Sequence, residues 1–350
     1  MNRFYNLPTA TKERILNETG EKTNLPAYAI EKDWWVVQTL TILFELEVGE
    51  HLVFKGGTSL SKAWNAIERF SEDIDLAIDR AFFDFNGELG KEQRTRLRKK
   101  ANQYICGTLY PALQNAFNDK GIQNIRIELD EITTSDQDPV IISVYYPNVI
   151  ESPGYIKPRV QIEIGCRSLR EPFENRAILS LVDNTYPQAV FALQPINIPS
   201  VLPERTFLEK IFLLHEEFQR PKDKMRVDRL SRHLYDVYKM SKTEIVFKAF
   251  SNRELYETIV KHRYSFTRIG GINYNLHQPQ TINVIPNQEL MSSWAADYKT
   301  MQEQMIHGDS PNFDELIEAL KSLNNWINNK RWRMGCEFPA PASQSSTSNS

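Results

Sequence analysis

Three apolar residues, Leu52 to Phe54, run through Lys55 into a glycine pair, Gly56-Gly57, and Thr58-Ser59-Leu60 follow. Glycine at these two positions lets the backbone turn with positive φ and lets a ligand approach closely. The Thr and Ser then read as the cap of a short helix carrying Leu60, Ala63 and Trp64. A strand, a glycine turn and a helix start together make a place for an anion, because the first N–H groups of the helix are unpaired and point outward. Fourteen residues after Gly57 begins Ser71-Glu72-Asp73-Ile74-Asp75-Leu76. Ile74, Leu76 and Ile78 alternate with Asp73, Asp75 and Ala77, which reads as a strand with one apolar face. Asp73 and Asp75 then share the other face, about 7 Å apart at Cα. Hard oxygen ligands so placed suit Mg²⁺, which binds through one or two carboxylates plus substrate phosphates; Mn²⁺ is the alternative ion.

Together the anion-receiving turn and the Asp-x-Asp resemble motif I of the nucleotidyltransferase superfamily, with its DNA-polymerase-β-like fold. More narrowly, Phe54-Lys55-Gly56-Gly57-Thr58-x-Leu60 with Arg69-Phe70-Ser71-Glu72-Asp73-Ile74-Asp75 is similar to the AbiEii/AbiGii toxin-like family of bacterial nucleotidyltransferases. The resemblance implies an α+β fold: a nucleotidyltransferase-like mixed β-sheet flanked by helices, followed by a mainly helical C-terminal domain. The boundaries expected are N-terminal helices over 1–50 packed on the core, the nucleotidyltransferase core over 51–200, a helical domain over 201–335 and a disordered tail over 336–350.

A length of 350 residues allows one large or two medium domains. The formal net charge of −3 exerts no overall pull on nucleic acid, so any such binding must come from a local patch. Cys106, Cys166 and Cys336 form no Cys-x-x-Cys pair, which argues for a reducing compartment and against a zinc site. No signal peptide and no apolar run of membrane-spanning length is evident, so a cytoplasmic protein without a membrane partner is expected.

Residues 8 to 19 read as a short helix ending at Gly20, and from Pro26 the pattern Ile30, Trp34, Val37, Leu40, Leu43, Phe44 carries a second helix to about Glu47. Glu31-Lys32-Asp33-Trp34-Trp35 within it resembles a segment that often precedes motif I in the family, while Lys32 and Asp33 also read as a solvated edge. Gly90 to Lys120 is helical, its first third basic through Arg94, Arg96, Arg98, Lys99 and Lys100. That run is either a solvated face or a contact for the phosphates of a nucleic-acid acceptor. Strands are expected at Ile125–Ile132, Val140–Tyr146 and Arg159–Gly165, with turns at Asp136–Pro139 and Ser152-Pro153-Gly154. Glu163 projects from the polar face of the last strand. By position it is the candidate for the third carboxylate of the superfamily, and the alternative is an exposed side chain on an edge strand. Pro172 to Pro203 reads as an irregular crossover.

Helices resume with Thr206–His215 and Arg226–Met240, and later with Arg253–His262, Asn287–Ile306 and Asn312–Asn328, while Thr267 to Pro286 reads as a loop or hairpin. The resemblance assigns Glu209-Lys210 on the first of these helices and Arg232-His233-Leu234-Tyr235-Asp236 on the next to the motif I pocket. It gives Lys210 to a triphosphate oxygen, and Asp236 to orienting that Lys, to the metal's outer shell or to a proton. His233 departs from the Arg-Asp found here in many relatives. Read without the family, Glu209-Lys210 is an ordinary surface pair and Asp236 an ordinary helix acid. Trp294, Asp297-Tyr298 and Met301 resemble the family's terminal helices, and the basic segment Gln219–Arg229 is either an acceptor contact or a solvated loop.

The function implied is transfer of a nucleoside monophosphate from an NTP to an acceptor. Asp73 and Asp75 hold Mg²⁺; Gly56, Gly57, Thr58 and Ser59 hold the β- and γ-phosphates; Lys55 or Lys210 offsets charge on the leaving pyrophosphate. As partners the resemblance implies NTP, an acceptor (an RNA or tRNA end, or a protein hydroxyl) and a separately encoded antitoxin, within a toxin–antitoxin or phage abortive-infection system. Two other readings stay open: a catalytically silent nucleotide-binding module of the same fold, and a structural DNA-associated protein using the basic helix.

Overall fold

A computed structural model describes residues 3–152, 157–167, 172–306 and 308–341. The chain divides into two compact units, Met1–Leu202 and Pro203–Ser350. The first is built on a seven-stranded mixed sheet with the order β3-β4-β5-β2-β1-β7-β6. Its strands are β1 (Leu52–Lys55), β2 (Asp73–Ile78), β3 (Arg126–Leu129), β4 (Val140–Tyr145), β5 (Arg159–Gly165), β6 (Phe173–Ile178) and β7 (Ile196–Val201). The β2–β5 and β1–β7 pairs are parallel and the remaining pairs antiparallel.

The helices of this unit are α1 (Thr9–Thr23), α2 (Ala27–Glu45), α3 (Gly56–Lys62), α4 (Lys91–Tyr104), α5 (Tyr110–Asp119) and α6 (Leu181–Thr185). A π-helical turn at Ile105–Leu109 joins α4 to α5. Register places Phe54, Leu76, Ile164 and Val140 in one row of the sheet and Ile74, Ile162 and Ile142 in the next. All of them are buried. This is the apolar face that the alternation in the sequence requires, and α2 packs against β2 and β5.

Three expectations are corrected. α1 continues past Gly20 to Thr23, and Asn24 in the left-handed region ends it; a Cβ at Gly20 would lie 2.6 Å from the Leu25 carbonyl oxygen, so glycine here serves close approach to the following segment. The stretch read as an irregular crossover holds two strands and a helix, β6, α6 and β7. Pro199 sits inside β7, opposite Asn175, and a proline without an N–H ordinarily speaks against an interior strand. Third, the helix expected from Arg226 begins at Ser231, because Arg229 takes a positive φ of 58°. Of the turn at Ser152-Pro153-Gly154, Pro153 and Gly154 lie outside the described residues, as does the tail from residue 342.

The second unit is helical: α7 (Pro203–Glu217), α8 (Ser231–Ser241), α9 (Ile245–Ser251), α10 (Arg253–Phe266), α11 (Met291–Met305) and α12 (Phe313–Asn328). The segment 267–286 forms short 3-10 turns rather than a hairpin. No helix among the described residues is long and apolar enough to cross a membrane.

Inside this unit His215 is 3% exposed, its Nδ1 accepts the Asn283 N–H at 3.0 Å, and its ring lies 4.9 Å from that of His277. Burial, with His277 beside it, pushes its pKa down to about 3. The unfolded chain therefore takes up a proton below about pH 6.5 that the folded chain refuses, and stability falls as pH drops through that window. The nearby Glu216 charge pulls the His215 pKa upward, but that carboxylate is itself paired with Arg263 and His277 and does not outweigh burial. Thermal melts should show wild type losing stability between about pH 6.5 and 4. His215→Asn, which keeps an acceptor and loses the titration, should show a flatter slope over the same range.

Candidate functional site

The first unit brings the glycine turn and the two acids together. Lys55 pairs with Asp75 across β1–β2, Asp75 with Glu163 across β2–β5, and Asp73 with Gln161. Register partners share a face, so Lys55, Asp73, Asp75, Gln161 and Glu163 form one polar surface, each partly exposed. β5 lies between β4 and β2, so Glu163 is not on an edge strand; it sits beside Asp75. Gly56 has φ +78°, and a Cβ there would lie 1.9 Å from Asp75 Oδ2. The bend and this carboxylate are therefore in direct contact through the missing side chain.

Around Gly57 the packing is as close, a Cβ there meeting Ser71 Oγ at 2.8 Å and Arg69 Nη2 at 2.9 Å. Arg69 went unassigned in the sequence, although it stands in the motif. Thr58 and Ser59 are each 1% exposed and lie inside α3, which starts at Gly56 with Lys55 extended before it. Neither caps the helix. The Thr58 hydroxyl donates to the Asp73 carbonyl and lies 2.9 Å from Ser71 Oγ; it ties the helix to β2. Among the described residues the buried Ser59 hydroxyl has no hydrogen-bond partner.

Behind this surface, α2 presents three consecutive charged residues that are 2–4% exposed, so a solvated edge is excluded. Glu31 accepts the N–H groups of Val149 (2.7 Å) and Ile150 (3.0 Å). Lys32 pairs with Glu72 at 2.5 Å, next in sequence to Asp73. Asp33 pairs with Lys62 at the end of α3 and accepts the Leu181 N–H at 2.7 Å. Four parts of the unit are thus tied to one helix: the start of β2, the end of α3, the start of α6 and the chain after β4. Burial raises the pKa of Glu31, and it lowers that of Lys32 against the pull of Glu72.

Among the described residues no group of three or more His, Cys, Asp or Glu converges to hold a metal. Two half-exposed carboxylates on one strand face fit a hard divalent cation whose remaining ligands are phosphate oxygens and waters, rather than an all-protein cage. In the basic part of α4, Arg94 donates to the Leu89 carbonyl (2.7 Å), Arg98 pairs with Asp136 (2.6 Å) and Lys100 with Asp84 (2.9 Å). These three support the loops around them. Arg96 and Lys99 line an open cavity of about 680 Å³ with Phe83 and Gln103.

Within the second unit, Lys210 Nζ lies 2.9 Å from Asp236 Oδ2 and 3.3 Å from His233 Nδ1. Lys210 is 6% and Asp236 0% exposed, which excludes the ordinary surface pair and helix acid. Glu209 accepts from Arg205 Nε at 3.1 Å. Asp297 on α11 accepts the N–H groups of Arg229 (2.7 Å) and Ser231 (2.9 Å), fixing where α8 begins and hence where His233 and Asp236 stand. Most of the basic segment before it is anchored: Arg220 and Arg226 to Glu217, and Lys222 to Glu289.

A sequence model of the AbiEii family, described as nucleotidyl transferase AbiEii toxin of a type IV toxin–antitoxin system, matches residues 40–319. The chain belongs to this family. It is therefore a nucleotidyltransferase, of a toxin family whose members use a nucleotide substrate and a divalent metal and are paired with a cognate antitoxin. Among solved structures it is similar to MenT4, the nucleotidyltransferase toxin Rv2826c from Mycobacterium tuberculosis H37Rv, at 18% identity, covering 92% of this chain and 97% of that one with a TM-score of 0.46. No curated protein is similar enough to count as a match.

Proposed function

We propose that this AbiEii-family protein transfers a nucleoside monophosphate from an NTP to the 3′ hydroxyl of an RNA, a tRNA end being favoured, in the bacterial cytoplasm, and that its antitoxin restrains this activity. The observation that carries the reading is the close approach of Gly56 to Asp75: a phosphate cradled at the bend would lie beside a cation held by the acid. Asp73 and Asp75 would hold Mg²⁺, which when bound neutralises the triphosphate. The backbone of Gly56 and Gly57 receives the phosphates, and Lys55, in register with Asp75, meets the negative charge of the pyrophosphate end. The acceptor oxygen bonds to the α-phosphorus as the bond to the β-phosphate oxygen breaks; pyrophosphate leaves, and the hydroxyl's proton passes to Glu163. The family resemblance assigns Lys210, held by Asp236, to the same reaction.

Incubation of the protein with labelled NTPs and total cellular RNA tests this. Label should enter RNA with Mg²⁺ present, and a chelator should reduce it to background. Tight NTP binding without transfer under every metal condition would instead establish the silent module.

A further inference from the structure

The polar surface continues past the acids. Two residues along β5 from Gln161 stands Arg159, in register with Tyr145 on β4, which is in register with Arg126 on β3. The three side chains form a row across three strands, on the same face as Asp73 and Asp75 and about 8 Å from Asp73 at Cα. Arg159 is placed by neutral oxygens: Nη2 donates to Gln161 Oε1 at 2.8 Å and Nη1 to Ser143 Oγ at 3.3 Å. Among the described residues no carboxylate pairs with it. The Arg126 guanidinium lies 4.3 Å over the Tyr145 ring, pairs with Glu128 at 2.7 Å, and its side chain is 65% exposed.

An oriented guanidinium with only neutral partners is a site for an oxyanion. A guanidinium stacked on a phenol, open to solvent, is a surface on which an unstacked base can lie. Position decides which anion. The glycine bend adjoins β2 from the β1 side and the Arg159 row from the β5 side, so the two flank the acids. In-line displacement at phosphorus needs entering and leaving groups on opposite sides. With pyrophosphate leaving at the bend, the Arg159 row lies on the side from which the acceptor enters.

We propose that this row binds the 3′-terminal nucleotides of a single-stranded RNA acceptor, Arg159 holding a phosphate and the Arg126–Tyr145 stack a base. The inference rests on the transferase reading above and names where its acceptor lies. It is tested by equilibrium binding of a short 5′-fluorescein-labelled single-stranded RNA to the full chain, read by anisotropy over a salt series, with NTP affinity measured alongside.

Arg159→Met should weaken RNA binding about tenfold and lower the magnitude of the salt slope by about 0.7. Arg159→Lys should restore most of the binding, and Tyr145→Leu should weaken it about tenfold without changing the slope. NTP affinity and melting temperature should stay at wild-type values in all three, which a merely structural role would not allow. Wild type that fails to bind the RNA, variants that bind it as wild type does, or a loss confined to NTP affinity would each overturn the proposal. RNA bound through this row but never labelled would instead overturn the transferase reading and leave the row standing.

Discussion

Gly56→Ala should lower nucleotide transfer about a hundredfold or more while leaving the chain folded. A Cβ at residue 56 would stand 1.9 Å from Asp75 Oδ2 and 2.7 Å from its Cγ, distances that real Cβ atoms essentially never show. The left-handed φ of 78° adds about 1–2 kcal/mol of strain for any L-side chain. The carboxylate can escape by rotating, because it ends a partly exposed side chain on an otherwise well-packed strand. The outcome is therefore a displaced Asp75 rather than a broken sheet. Melting temperature should fall modestly, and RNA affinity should hold. Asp75→Ala should lose transfer to a similar degree without the strain. Transfer by Gly56→Ala at the wild-type rate would mean that Asp75 does not act from the position it takes here.

The acids and the bend were legible in the sequence because each rests on a local rule: period-two alternation for β2, and a glycine pair closing β1. What the sequence hid was pairing between distant segments. Glu163 read equally as an exposed edge residue until the strand order placed β5 between β4 and β2. Lys32 and Asp33 also read as a solvated edge, since charged residues in a helix usually are; only the partners at 62, 72, 149, 150 and 181 explain the burial of these two and of Glu31 before them. Strands β6 and β7 were obscured by Pro199 and by the polar sequence of β6, where tertiary pairing overrides local preference. The cap reading of Thr58 failed for a related reason. The residue type suits a helix cap, but the hydroxyl bonds the Asp73 carbonyl on a distant segment.

Lys210→Met should destabilise the protein by about 3–5 kcal/mol, a large share of a typical total of about 5–15 kcal/mol. The lysine ammonium sits 2.9 Å from a wholly buried Asp236 carboxylate, so its removal takes an opposite charge away from a carboxylate that water does not reach. A Lys210→Met/Asp236→Leu double variant removes both charges and should recover most of the lost stability, as chemical denaturation of all four proteins in the cycle would show. Additive losses in the cycle would contradict the pair as an interior unit. Transfer activity separates the fold from the chemistry. If Lys210 acts only through the packing of α7 against α8, the stable double variant should transfer nucleotides again; if its charge takes part in the reaction, stability returns and transfer does not. We expect the second result, because a buried ion pair adds little stability over well-packed apolar side chains. A lysine held in place at that cost is better explained by a ligand it must meet than by the helix pair it joins.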